Sequence, residues 1–101
     1  MRRGELWLAR VGGKRRPVLV LTRSEVIDVR HLVTVAEVTT TARGLGVEVP
    51  LGTGAGLDRP SVVNCDGLHT VDQGALTGPL GSVDEETMHE VCSAISYALG
   101  C

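Results

Sequence analysis

"KRRPVLVLT", residues 14–22, is the stretch on which the fold turns. Three cations, Lys14, Arg15 and Arg16, run directly into Pro17 and then four apolar residues, with no Gly, Asn or Ser between them to ease charge into core. In an extended chain Val18 and Val20 project to one side and Leu19 and Leu21 to the other. Residues 16–22 therefore read as a strand buried on both faces. Pro17, which has no N–H to give to a ladder, is tolerated because it opens the strand. This places an arginine at the lip of a hydrophobic core.

Upstream, "GELWLARVGG" (4–13) alternates Leu6 and Leu8 with Trp7, Ala9 and Val11, so both faces are again apolar, and Gly12-Gly13 marks the turn. Downstream, "VTVAEVT" (33–39) carries Val33, Val35, Glu37 and Thr39 on one face of a third strand. "GVEVP" (46–50) is a short fourth, and "LGTGAGLDRP" (51–60) a loop. "SVVNCDGLHTVD" (61–72) reads as two short strands bent at Gly67, and "LTGPLG" (76–81) as the last strand.

The period then changes. From Ser82 the pattern is helical, with Ser82 as candidate N-cap, Glu85 completing a capping box, and Asp84, Glu85 and Glu86 in the first turn. Met88, Val91, Cys92, Ile95, Ala98 and Leu99 form an apolar stripe that ends at Gly100. The expected fold is mainly β, of α+β type: one domain over residues 1–101, a small antiparallel barrel with the C-terminal helix packed against it.

Composition sets the limits. No apolar run approaches the roughly 20 residues of a membrane span. The N-terminus enters a strand without the apolar region of a signal peptide, so a cytoplasmic location is expected. The only aromatic residues are Trp7 and Tyr97, which leaves a Val/Leu/Ile/Ala core with Trp7 as its largest expected anchor. Cys65, Cys92 and Cys101 are odd in number and lack metal spacing, and Cys65 and Cys92 read as small buried hydrophobes. The net charge of −2 conceals an asymmetry: residues 1–30 hold eight cations against three acids, a net of +5, which leaves −7 on the remainder. Such segregation points to an anionic partner near the first strands.

The sequence has no GxxxxGK[ST], HExxH or GxSxG motif, and His31, His69 and His89 lack zinc spacing. Two features remain: Arg16 at a strand entrance, and the Glu37/Thr39 pair on one face of another strand. A guanidinium offers phosphate a planar fork whose charge persists at neutral pH, and a threonine hydroxyl can bond a phosphoryl oxygen. Alternatively, Arg16 only pairs with an acid and Thr39 only fills a strand.

Taken in order, "RRGELWLA", "RPVLVLT", "VAEVTTT", "GLDRPSVVNCDGLHTVD" and "SVDE" resemble the MazF/PemK family, the toxins of bacterial toxin–antitoxin pairs. The resemblance spans nearly the whole chain. It implies an SH3-like barrel, a homodimer, and metal-independent cleavage of single-stranded RNA with no cofactor. It also implies neutralisation by a cognate antitoxin whose acidic C-terminal tail fills the RNA groove. On this resemblance the catalytic pair maps onto Arg16 and Thr39, with Lys14, Arg15, Arg23 and His69 as RNA-binding candidates. The 2′-hydroxyl would attack the adjacent phosphorus, giving a 2′,3′-cyclic phosphate and a 5′-hydroxyl, and DNA should not react. Glu37, two residues before Thr39, is either the base or the resting partner of Arg16. Three departures from the family pattern stand out: a short "VGGKRR" loop, His69 where arginine is common, and Gly67 where glutamine often lies. Two competing readings are a CcdB-like gyrase inhibitor on the same fold and a non-catalytic RNA-binding barrel. The scarcity of stacking aromatics weighs against the latter.

Overall fold

The computed structural model describes all of residues 1–101. Six strands form one antiparallel sheet: β1 (Glu5–Val11), β2 (Lys14–Val20), β3 (Leu32–Thr39), β4 (Glu48–Leu51), β5 (Ser61–Asp72) and β6 (Thr77–Ser82), in the spatial order β4-β5-β3-β2-β1-β6. The sheet curls into a half-barrel. Its outer strands are not hydrogen-bonded to each other; the loop after β4 packs on β6 instead. There Gly56 lies against the backbone of Leu80 and Gly81 against that of Ala55, approaches so close that a Cβ at either glycine would collide. Helix α2 (Glu85–Leu99) lies on β4 and β5.

Both faces of the sheet are buried, as the alternation requires. Leu6, Leu19, Ala36, Val38, Val63 and Cys65 point to the concave side and meet Val91 and Ala94 of α2. Ala9, Val11, Val18, Val20, Val33 and Val35 point the other way and are joined by Ile27 and Leu76. Ile27 comes from a single helical turn, α1 (Ser24–Ile27), for which the sequence offers no periodic signal, because four residues are too short to show one.

Several expectations need correction. Strand β2 begins at Lys14, so Pro17 lies within it rather than at its start. The proline is accommodated because the ladder to β3 begins only at Val18. Residues 61–72 form one strand, and the bend is a bulge: Ala36 faces Leu68 while Glu37 faces Asn64, so Cys65, Asp66 and Gly67 have no counterpart on β3. Ser82 is the end of β6, and the helix is capped by Asp84, which accepts from the Thr87 N–H at 2.8 Å. Trp7 is half-buried with its Nε1 donating to Glu5 Oε1, so the anchors of the core are Leu6 and Leu19. Cys65 is fully buried, but Cys92 is exposed and accepts from Arg3 Nη2 at 3.0 Å. On α2, Val91 and Ala94 are buried, Met88 and Ile95 partly so, and Leu99 is exposed. No helix is long and apolar enough to cross a membrane.

Candidate active site

The site grows from the half of β2 that β3 leaves uncovered. Lys14 to Pro17 pair with β1, where Arg16 faces Ala9, but pairing with β3 covers only Val18, Leu19 and Val20. Because side chains alternate, Arg16 projects from the same face as Val18 and Val20. Glu37 and Thr39 project from that face too, since Glu37 lies opposite Val18. Continuing the register past the last pair would set Arg16 opposite Thr39. One face of the sheet thus passes, along the strand direction, from a valine-rich core into a charged edge.

Glu37 is the hub. Its Oε1 lies 2.9 Å from Arg16 Nη1 and its Oε2 lies 3.2 Å from His69 Nε2, with side-chain exposures of 16%, 20% and 31% for Glu37, Arg16 and His69. Arg16 reaches it along a diagonal of the ladder, a separation that long side chains span. The bulge supplies the histidine. An unbroken Glu37–Asn64 register would place Asp66 opposite Val35, and the three extra residues bring His69 there instead. A second carboxylate beside Glu37 is thereby replaced by an imidazole.

Two glycines make room for the carboxylate. A Cβ on Gly12, whose φ is +60°, would stand 2.7 Å from Glu37 Oε1. One on Gly67 would overlap Glu37 Oε2 and stand 3.0 Å from Asn64 Nδ2. The polar atoms around Glu37 are only partly satisfied. Arg16 Nε, Asn64 Oδ1 and His69 Nε2 are buried without a hydrogen-bond partner, the His69 contact having ion-pair distance without hydrogen-bond alignment. Arg16 is therefore held end-on by one nitrogen, leaving its fork unmatched.

Arg16 and Thr39 open onto one cleft of about 260 Å³, shared with Lys14, Arg15, Thr41 and Ser61. Thr39 Oγ1 accepts from the Thr41 N–H at 3.2 Å, so its own proton is free to donate. Lys14 and Arg15 are exposed and in no ion pair. Arg23 is not brought here. It lies beyond the far end of β2, in a separate cleft with Arg3, Ser24 and Glu25. Asn64, Gly12 and Gly67 belong to the site but carry no chemical signal in the sequence, where the glycines read only as turn and bend. No group of three or more His, Cys, Asp or Glu side chains comes together in a way that could hold a metal.

With this geometry in hand, the chain can be set beside known proteins. The model of the PemK-like, MazF-like toxins of type II toxin–antitoxin systems matches residues 2–99. The chain belongs to the PemK/MazF toxin family. Among its relatives in that family is the probable endoribonuclease MazF2 of Mycobacterium tuberculosis, 42% identical with all of both chains covered. Endoribonuclease MazF3 of the same organism is 46% identical over 80 residues, 76% of this chain and 78% of the relative. Among solved structures, the M. tuberculosis toxin MazF-mt6 superposes with a TM-score of 0.89 at 38% identity, covering 95% of this chain and 96% of that one. A mycobacterial endoribonuclease in complex with its cognate antitoxin superposes at 0.90 with 27% identity, covering 99% and 95%. The half-barrel with its C-terminal helix is thus the fold of the MazF toxins.

Proposed function

We propose that the chain is a MazF-type endoribonuclease toxin that cuts single-stranded RNA at a phosphate held between Arg16 and Thr39. The observation that carries this reading is the shared cleft: a guanidinium and a free hydroxyl face one cavity, with the unpaired cations Lys14 and Arg15 at its rim. Cations that lack protein partners suit a polyanion, whose phosphates supply most of the affinity.

In the reaction the 2′-hydroxyl gives its proton to a base beside Arg16, its oxygen bonds to the neighbouring phosphorus, and the bond from phosphorus to the 5′-oxygen breaks. Arg16 leaves Glu37 and turns its fork to the non-bridging oxygens, where charge builds in the transition state. Its proton goes to the leaving 5′-oxygen. Thr39 donates to a non-bridging oxygen. The products are a 2′,3′-cyclic phosphate and a 5′-hydroxyl, and the protein requires no metal for any of these steps. Glu37 is the resting partner of Arg16, holding the guanidinium at the cleft until RNA displaces it.

The relative solved with its cognate antitoxin supports a partner of the same kind here. An acidic tail suits the cationic cleft, since its carboxylates could take the seat that Glu37 occupies. We assign the working form as a homodimer and its compartment as the cytoplasm.

The test is cleavage of long single-stranded RNA in EDTA, with ends mapped by primer extension, for the protein and Arg16→Ala. Cuts at a recurring short sequence, lost in a folded Arg16→Ala, are the expected result. Undiminished cutting by the variant would overturn the assignment of Arg16. A wild-type protein that leaves RNA intact but inhibits gyrase would overturn the nuclease reading.

A further inference from the structure

We propose that His69 takes the proton of the attacking 2′-hydroxyl, with Glu37 as the positioning residue that holds its imidazole; this rests on the reading that Arg16 binds the scissile phosphate.

Glu37 is badly placed to be the base itself. In the free protein Oε1 is engaged by Arg16 at 2.9 Å and Oε2 by His69 at 3.2 Å, and when RNA draws Arg16 away only Oε1 is released. The backbone at Gly12 and Gly67 closes around them so tightly that no Cβ fits beside either oxygen. At 16% exposure the side chain has little surface left for a ribose. His69 is the most open of the three, at 31%. Imidazole is also the side chain that gains and loses protons near neutral pH.

Nε2 lies 3.2 Å from Glu37 Oε2, an ion-pair distance without hydrogen-bond alignment. The charged groups facing His69 are Glu37 from β3 and, beyond it, Arg16 from β2. On its own strand, Asp66 is exposed in the bulge and Asn64 is neutral. A carboxylate against the ring stabilises the imidazolium that proton uptake creates.

Arg16 and His69 contact the two oxygens of a single carboxylate, which sets the imidazole next to the guanidinium while His69 itself stands outside the lining of the Arg16–Thr39 cleft. The protons also balance. The 2′-hydroxyl proton passes to the His69 imidazole as the 2′-oxygen bonds to phosphorus. Arg16 protonates the leaving 5′-oxygen. Once the product leaves and Arg16 returns to Glu37, the proton gained by His69 passes across that carboxylate to Arg16, and the site is reset.

Single-turnover cleavage of one RNA, followed between about pH 5 and 8 where imidazole titrates, tests this with the intact protein, His69→Ala and the bulkier His69→Gln, each shown folded by its thermal melt. In the wild type the rate should fall toward acid, as expected wherever a neutral imidazole must accept the proton. His69→Ala should be about 10²–10⁴-fold slower, as loss of a general base commonly is. It should also lose the acidic limb and recover part of its rate with added imidazole. A 2′-deoxy analogue of the RNA should bind His69→Gln as it binds the wild type. An undiminished rate with an unchanged pH profile, in protein that still depends on Arg16, would overturn the role of His69 alone. A slow variant that keeps the acidic limb and ignores imidazole would overturn it equally, leaving His69 as packing. If the wild-type protein does not cleave RNA, the inference falls together with the functional reading.

Discussion

Arg16 and Glu37 form a diagonal ion pair of 2.9 Å at the point where the β2–β3 ladder ends. The pair owes its place to that ending. Had the ladder continued past Val18, β3 would have run alongside Arg16, and the cleft shared with Thr39 would be narrower. Pro17, which cannot donate to a ladder, sits where it stops. Glu37 occupies the guanidinium, and on the proposed reading a phosphate has to replace it.

Thr39 separates hydroxyl chemistry from strand packing. Thr39→Val keeps the shape and removes the donor, in a side chain only half-buried. We expect cleavage to fall by about 10- to 100-fold, as for loss of one hydrogen bond to a charged group. Melting temperature should change little. Single-turnover rates beside thermal melts check this, and an unaltered rate would reduce Thr39 to a packing residue.

Gly67 is expected to be intolerant because of Glu37. In Gly67→Ala the new methyl meets Glu37 Oε2 and Asn64 Nδ2. Overpacking of this kind costs about 1–3 kcal/mol, and the displaced carboxylate should release both Arg16 and His69. Adding Glu37→Ala removes the obstacle, so the double variant should recover part of the lost stability. A double-mutant cycle measured in urea checks this. Additive losses would mean that Gly67 is needed for the bulge backbone rather than for the carboxylate.

The three cysteines should react unequally. Burial, aided by Asp66 and Cys92, pushes the Cys65 thiol up to about 11. Cys92 and Cys101 are exposed. A thiol reagent at mildly alkaline pH should therefore label two cysteines in the folded protein and the third only after unfolding. Mass spectrometry of peptides assigns them, and early labelling of Cys65 would contradict its burial.

Asp84 ties the helix to pH. Its side-chain and backbone hydrogen bonds with Thr87 hold its carboxyl below the ordinary 3.8. A depressed value means that the folded state binds the proton less readily than the unfolded one. The contribution is therefore complete above the unfolded value and is lost as pH falls through the folded one. Asp84→Ala should melt earlier than the wild type at neutral pH, and the gap should close below about pH 4, the ordinary carboxylate range. A gap that stays constant into acid would show that the cap acts by shape and not by charge.

Much of this protein is set locally. Alternation in "RPVLVLT" and "VAEVT" follows from covalent geometry, and it places Arg16, Glu37 and Thr39 on the same face as the valines that bury it. The C-terminal helix announces itself by a change of period, whereas Pro17, which reads as the start of a strand, lies within β2 because β1 pairs past it to Lys14. What the tertiary structure alone decided depends on register. Whether Asp66 or His69 stands next to Glu37 is settled by a three-residue bulge, and a bulge is a property of two strands, written in neither. The cap passed from Ser82 to Asp84 because β6 used Ser82 to pair with Glu5. Cys92 stayed exposed because the packed face of α2 is centred on Val91 and Ala94. Residue types follow the backbone's own period, but which of them meet is fixed only when distant strands find their pairing.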